Sequence, residues 1–343
     1  MRNGKVGFAI IGTGVIAPKH AKAISFIPEA ELIAVVDVAE EKAIEFQEKF
    51  KCVQNYASLE DCFQDDLVDV VIVCTPSGTH GDLVIQAAKA GKHVLCEKPL
   101  EIQADKMTAM IEACKKANVK LGAVYQRRAL DTNLQIKRMM EEGVFGKLAF
   151  ANAYLKYYRS QEYYDSAGWR GTWKMDGGGA LMNQGVHGVD MIQWLNGGVK
   201  KVFARATAVS RNIEVEDTAA VVVEYNNGSF GIIEGSTVVY PNQATRFEIN
   251  GDNGTVVVDD NGIQVCETLE GKLDPANWKP AVEFPEADVP PLALGHFRFV
   301  WDMTRAVLDD REPFVSGEEA RKAVDLIHAI YESARTGKEV IIS

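Results

Sequence analysis

Through about the first 125 residues, short, mostly apolar runs alternate with segments whose apolar positions recur every three to four residues. The runs at 5–11, 31–37, 68–74, 93–96 and 120–124 are rich in valine, isoleucine and leucine. A strand with one wet face alternates apolar and polar residues, whereas one covered by helices on both faces reads as a continuous run. Segments 17–26, 40–50, 80–90 and 104–118 lie between the runs and have helical spacing. This alternation predicts an α/β fold built on a doubly wound parallel sheet.

Beyond residue 125 the texture changes. A helical segment at 130–142 leads into a long strand at 147–158, an aromatic stretch and a glycine-introduced helix at 178–195. Strands follow at 201–209, 218–225, 229–239, 245–250 and 255–258, with Asn226-Asn227-Gly228 as a hairpin signal between two of them. The second sheet is therefore expected to be open and mostly antiparallel. Helices at 294–308 and 317–335 complete the pattern. A length of 343 residues exceeds one ordinary core, and domains of 1–125 and 126–343 are expected.

With 47% hydrophobic and 25% charged residues, the chain has ordinary globular usage. No apolar run approaches the ~18–20 residues of a membrane-spanning helix. Met1 to Lys5 and the apolar run behind them imitate a signal peptide, but glycine breaks that run and it reads as a buried strand. Cys52, Cys62, Cys74, Cys96, Cys114 and Cys266 form no C-x-x-C pair, and several sit in apolar runs. Buried free thiols in a reducing cytoplasm are expected. The formal net charge of −11 argues against a nucleic-acid partner. Residues 126–174 depart from that balance, with nine Lys/Arg against five acids, a net of +4. Arg127, Arg128, Arg159 and Arg170 lie there with Tyr157, Tyr158, Tyr163, Tyr164, Trp169 and Trp173. Guanidinium groups pair with carboxylates and phosphates, and aromatic rings stack on a base or sugar, so this stretch suits an anionic sugar. Ordinary ion pairing is the alternative for any one of these arginines.

Gly12-Thr13-Gly14-Val15-Ile16-Ala17 follows a strand and opens a helix, the context a dinucleotide fingerprint requires. Gly12 permits the tight turn, Gly14 lets a pyrophosphate approach the backbone, and Ala17 allows close helix–strand packing. Val15 and Ile16 complete the turn on the cofactor side. Asp37 ends the second run, where a carboxylate accepts hydrogen bonds from the adenosine ribose and repels a 2′-phosphate, so NAD is expected rather than NADP. Thr75 and Pro76 follow the third strong run and would line the cofactor cleft. His80 either joins them or caps its own helix. Glu97-Lys98-Pro99 follows the next run. A lysine on the lip of a nicotinamide cleft can hydrogen-bond a substrate hydroxyl, and the positive ring would lower its pKa towards the range of a general base. In a helix from about Gly178, Asn183 and His187 share one face at i and i+4, with Asp190 adjacent. An amide there orients a bound hydroxyl while His187 moves a proton.

The glycine turn, Thr75-Pro76 with His80, Glu97-Lys98-Pro99 and the Gly-Gly-Gly helix with Asn183 and His187 together resemble the glucose–fructose oxidoreductase/inositol dehydrogenase (Gfo/Idh/MocA) family over nearly the whole chain. The resemblance implies an N-terminal Rossmann domain for NAD, with Glu97 and Lys98 at the cofactor. It implies a C-terminal α/β domain that binds substrate and forms homodimers or homotetramers through its open sheet. It also implies Lys98 and His187 as the catalytic pair. Many dehydrogenases of the family carry Asp where this chain has Asn183, which cannot relay a proton, so a positioning role is what transfers. Asn183-Gln184-Gly185 and Gly168-Trp169-Arg170-Gly171-Thr172-Trp173 are similar to members that oxidise the 3-hydroxyl of UDP-N-acetylglucosaminuronate. Asn183, Arg127, Trp169 and Arg170 are the expected substrate contacts.

The expected activity is hydride transfer between a secondary hydroxyl of a sugar or sugar derivative and nicotinamide, on a substrate held between the domains. Which of Lys98 and His187 is the base stays open. A polyol or inositol dehydrogenase is the nearest alternative, and a non-catalytic NAD-sensing regulator a more distant one. No His/Cys cluster has metal-ligand spacing, so no metal is expected.

Overall fold

The apolar runs become strands buried on both faces. In the computed structural model, which describes residues 4–285, 289 and 291–342, the first sheet contains β1 (Val6–Ile11), β2 (Ala30–Val36), β3 (Gln54–Tyr56), β4 (Val70–Val73), β5 (His93–Cys96) and β6 (Leu121–Ala123). All its pairings are parallel, in the order β3-β2-β1-β4-β5-β6, and every residue of β1 and β4 is buried. Helices α1 (Ala17–Ser25), α2 (Glu40–Phe50), α3 (Leu59–Gln64), α4 (His80–Lys89) and α5 (Ala104–Ala117) alternate with the strands. The winding reverses between β1 and β4, and a ligand crevice forms beyond the carboxyl ends of strands at such a point.

After α6 (Asp131–Glu141) the second sheet begins with β7 (Leu148–Lys156), and after α7 (Gln161–Asp165) and α8 (Val186–Leu195) it continues with β8 (Val199–Thr207), β9 (Thr218–Tyr225), β10 (Phe230–Ser236), β11 (Arg246–Gly251), β12 (Gly254–Asp259), β13 (Gly262–Thr268) and β14 (Gly271–Lys272). Two long helices follow, α9 (Pro291–Leu308) and α10 (Gly317–Thr336), then a last short strand, β15 (Val340–Ile341). The strand order is β14-β13-β12-β11-β7-β10-β9-β8-β15, antiparallel throughout except where β10 runs parallel to β7. Side chains alternate along the central strands. Ala151, Ala153, Leu155, Val221, Val223 and Ile233 are buried, while Phe150, Phe203, Val222 and Phe230 on the other face remain 42–54% exposed. The register sets Phe230 beside Phe150 and Val222 beside Phe203, so these exposed side chains fall in neighbouring pairs.

The chain divides into two compact units, Met1–Gln126 with Phe284–Arg321, and Arg127–Glu283 with Lys322–Ser343. A division into 1–125 and 126–343 makes no provision for the return of 284–321 to the first unit. The reason is packing: α9 lies against α1 and buries Val300, Met303 and Ala306 completely, and Ala123 N donates to Val315 O at 3.0 Å. Helical periodicity marks a buried stripe without saying which unit it is buried against. Among the described residues, no helix is long and apolar enough to cross a membrane.

Candidate active site

The glycine turn sits between β1 and α1. Gly12 has φ +89, in the left-handed region, and a Cβ there would come within 2.9 Å of Cys74 O. Gly14 differs: a Cβ on it would meet nothing nearer than Cys74 O at 4.0 Å. Protein packing therefore does not demand glycine at position 14, and the open space suits close approach of a pyrophosphate. Ile16 caps α1 without a side-chain hydrogen bond and the first turn carries no acid; Ala17 N donates to Gly14 O at 3.2 Å and Lys19 N to Ile16 O at 3.0 Å. Ala17 is fully buried against the sheet, and Val15 is 92% exposed.

Asp37 ties the turn together. Its Oδ2 accepts from Thr13 N and Thr13 Oγ1, both at 2.7 Å, and its Oδ1 accepts from Ala39 N at 2.9 Å. Partial burial works to raise its pKa, but these hydrogen bonds from Ala39 and Thr13 and the Lys42 charge hold it below the usual value. The carboxylate is thus a fixed anion. These features fit a dinucleotide with free ribose hydroxyls.

Thr75 and Pro76 are half-buried at the end of β4, and Lys98 is half-buried after β5. His80 lies between these two segments. Its Nδ1 is 2.9 Å from Pro99 O and its Nε2 2.9 Å from Thr75 O, and the ring is 1% exposed. His80 turns both nitrogens to backbone carbonyls and braces the turns that carry Pro76 and Lys98. Glu97 is likewise bonded within the protein. It is 6% exposed, its Oε1 is 2.7 Å from His20 Nε2, and its Oε2 accepts from Lys98 N at 3.2 Å. The Lys98–Pro99 peptide is cis.

In the second unit the expected α-helix from 178 to 195 is not continuous. Ala180–Gly185 is a π-helical turn, and α8 starts only at Val186. Its cause lies in the residues before it. A Cβ on Gly178, φ +155, would meet Tyr331 Oη at 2.1 Å, and one on Gly179 would meet Glu216 O at 2.1 Å. Buried Glu216 then accepts from Gly179 N, Leu181 N and Tyr331 Oη at 2.8–3.0 Å, fixing where the helix begins. Such one-turn insertions are frequent at functional sites. Here Asn183 and His187 straddle the junction, so the i, i+4 argument for a shared α-helical face does not carry over. Asp190, three residues on from His187 in α8, holds Arg128 through Nε and Nη2 at 2.8 and 2.6 Å, and both side chains are almost wholly buried.

Asn183 Nδ2 donates to Asp176 Oδ1, and its Oδ1 accepts from Gln184 Nε2 at 3.0 Å. Gln184 also donates to Tyr163 Oη at 2.9 Å and accepts from Arg159 Nη2 at 2.7 Å. Arg170 stacks on the Tyr163 and Trp169 rings, its guanidinium carbon 4.2 and 4.8 Å from their centroids. Among the described residues, no carboxylate pairs with Arg159 or Arg170. Arg127 belongs elsewhere. It bonds Asp260 at 2.8 Å and Thr245 at 3.1 Å, so the ordinary ion-pair reading applies to it and to Arg128. Thr13, His20, Asp176, Glu216 and His296 are the side chains that sequence reasoning left out. Thr13 was visible inside the glycine turn, His20 one helical turn beyond it and Asp176 directly before the Gly-Gly-Gly run, whereas no local signal points to Glu216 or His296.

Comparison with known proteins fits this geometry. Residues 6–125 match the oxidoreductase family with an NAD-binding Rossmann fold, and residues 133–257 match the GFO/IDH/MocA C-terminal domain. The myo-inositol 2-dehydrogenase of Thermotoga maritima is 33% identical over 257 residues, 73% of this chain and 74% of that protein. The chain belongs to the Gfo/Idh/MocA oxidoreductase family. Among solved structures, the WlbA dehydrogenase of Chromobacterium violaceum, in complex with NADH and UDP-GlcNAcA, superposes with a TM-score of 0.90 at 34% identity, covering 100% of this chain and 97% of that one. The Bordetella pertussis WlbA dehydrogenase, with the same two ligands, gives 0.88 at 31% identity, covering 100% and 99%. This Gfo/Idh/MocA chain is therefore an oxidoreductase whose first sheet is the family's NAD-binding Rossmann fold.

Proposed function

We propose that the protein oxidises a secondary hydroxyl of an anionic sugar, a nucleotide-sugar acid first, with NAD, and that Lys98 and His187 are its acid–base pair. The observation that carries the substrate class is the pair Arg159 and Arg170. Both stand against Tyr163 in the basic stretch without a carboxylate partner among the described residues. A cation left unpaired by its own protein suits a ligand's carboxylate or phosphate. The likeness to the two WlbA dehydrogenases supports the same class.

Bound NAD supplies the hydride acceptor. It would be held by the Gly12–Ala17 turn and Asp37, and Lys98 or His187 takes the proton of the hydroxyl that becomes the ketone oxygen. Either base must be neutral to receive the proton. Asn183, held by Asp176 and Gln184, has no acidic proton to relay and orients the hydroxyl. Arg170 and Trp169 are the proposed substrate contacts beside it.

The test is NAD reduction over UDP-sugar acids, free sugars and inositols, with UDP and free uronic acid as competitors at several salt concentrations. UDP-sugar acids should react, and inhibition should weaken as salt rises. Efficient turnover of inositol or glucose, with UDP-sugar acids neither binding nor reacting, would leave the dehydrogenase and remove the anionic substrate.

The uncovered face of the second sheet supports self-association. Phe150, Phe203, Val222 and Phe230 are flanked by ion pairs such as Lys156–Glu234 at 2.6 Å, an apolar centre with a charged rim. Light scattering should give a mass of two or four chains at micromolar concentration, and a single-chain mass would contradict it. A cytoplasmic location is supported by six cysteines that are all free and buried.

A further inference from the structure

Beneath the turn that carries Lys98 lies a polar cluster buried in the first unit. His20 of α1, Glu97 after β5 and His296 of α9 are 0%, 6% and 2% exposed. His20 Nε2 is 2.7 Å from Glu97 Oε1, and His296 Nε2 is 3.8 Å from the same oxygen. The two imidazoles meet edge to face at 5.2 Å. A contact of 2.7 Å is a charge-assisted hydrogen bond, with His20 donating, since an ionised carboxylate only accepts. The second carboxylate oxygen faces the other way and accepts from Lys98 N.

We propose that His20 and Glu97 are positioning residues for Lys98: His20 locks the Glu97 carboxylate in place as a buried anion, and that anion anchors the Lys98 backbone and favours the ammonium form of its side chain. The proposal rests on Lys98 being part of the acid–base pair. It gives Glu97 a role other than the cofactor contact that the motif suggested.

Charge and burial agree with the geometry. Burial alone would raise the Glu97 pKa, but the His20 hydrogen bond and charge, with smaller help from His296 and Lys98, hold it well below the usual carboxylate range. Burial lowers His296 to about 4, so it stays neutral and does not compete for the proton. The groups facing Glu97 are His20 on α1, His296 on α9, Lys98 itself, and the thiols of Cys74 and Cys96. Lys19 acts on His296. Both thiols are pushed well above their ordinary pKa by burial and are neutral, so the fixed negative charge in this group is Glu97. An anion next to an amine raises the amine's pKa. Glu97 therefore sets the pH at which Lys98 becomes a base, opposing the effect expected of a positive nicotinamide.

The test reads Lys98 directly. The full-length protein is reductively methylated with a carbon-13 label, and the Lys98 signal, assigned by its loss in Lys98→Arg, is titrated by NMR. Glu97→Gln keeps the shape and removes the charge, and should move the Lys98 titration about one pH unit lower. NAD affinity should change less than about threefold, a split that a general loss of structure would not give. His20→Phe should shift Lys98 the same way, and His20→Gln, which keeps a donor near the Nε2 position, should restore most of the wild-type value. If Glu97→Gln does not fold, the His20 pair decides. An unchanged Lys98 titration in the folded variants overturns the proposal. So would stoichiometric zinc, iron or manganese in the purified protein that Glu97→Gln releases, since the cluster would then be a metal site. If Lys98→Met retains turnover, the acid–base reading falls, and the NMR shift still reports separately on whether Glu97 sets the lysine's charge.

Discussion

Replacing Lys98 by methionine is expected to slow turnover by about a hundredfold or more, the usual scale of lost acid–base catalysis, while NAD affinity stays within about threefold. His187→Asn should behave alike. Lys98 stands half-buried after β5 with its amide held by Glu97, and the NAD fingerprint is at other residues of the unit. Neither Asn183, an amide, nor Asp190, already committed to Arg128, can replace a missing base. Steady-state kcat with calorimetric titration of NAD separates chemistry from binding. Near-wild-type turnover in either variant would take that residue out of the acid–base pair.

The second large effect is at Asp37. The wild-type protein should bind NAD roughly tenfold to a hundredfold more tightly than NADP, because a 2′-phosphate would face a carboxylate held ionised by three hydrogen bonds. Glu40 and Glu41 follow in the first turn of α2, and add to the repulsion rather than relieve it. Asp37→Ser should narrow the preference from both sides. It removes the repulsion, and it also frees Thr13, so NAD affinity itself should fall. Paired titrations of NAD and NADP check this, and equal or tighter NADP binding by the wild type would refute the assignment.

The two sheets were not equally legible in the sequence, and the reason is burial. Strands β1, β2, β4 and β5 are covered on both faces, so Val70 to Val73 could hardly read as anything else. Edge strands carry no such signal: β3 is Gln54-Asn55-Tyr56, and β14 is the two residues Gly271-Lys272. The candidate site divides in the same way. Gly12, Gly14 and Asp37 were readable because a turn and a strand end fix their backbones locally. The π-helical turn was not, since a period of 3.6 was assumed and the constraint comes from Glu216 and Tyr331, far along the chain. His20, Glu97 and His296 meet across nearly the full length of the sequence, and no spacing rule reaches that far.

The return of 284–321 to the first unit also bears on how the protein can be cut. A gene fragment ending at residue 125 would encode all six strands of the parallel sheet and still lack one wall of its core. Ser316 would no longer bridge to Gly122, Ala123 would lose its carbonyl partner, and the surface of α1 that α9 covers would face water. His20 would then lie under an open flank. To isolate the nucleotide-binding half, an engineer would have to graft the distant segment back by a linker or by circular permutation. The family match over 6–125 is therefore shorter than the compact unit, which also takes in 284–321.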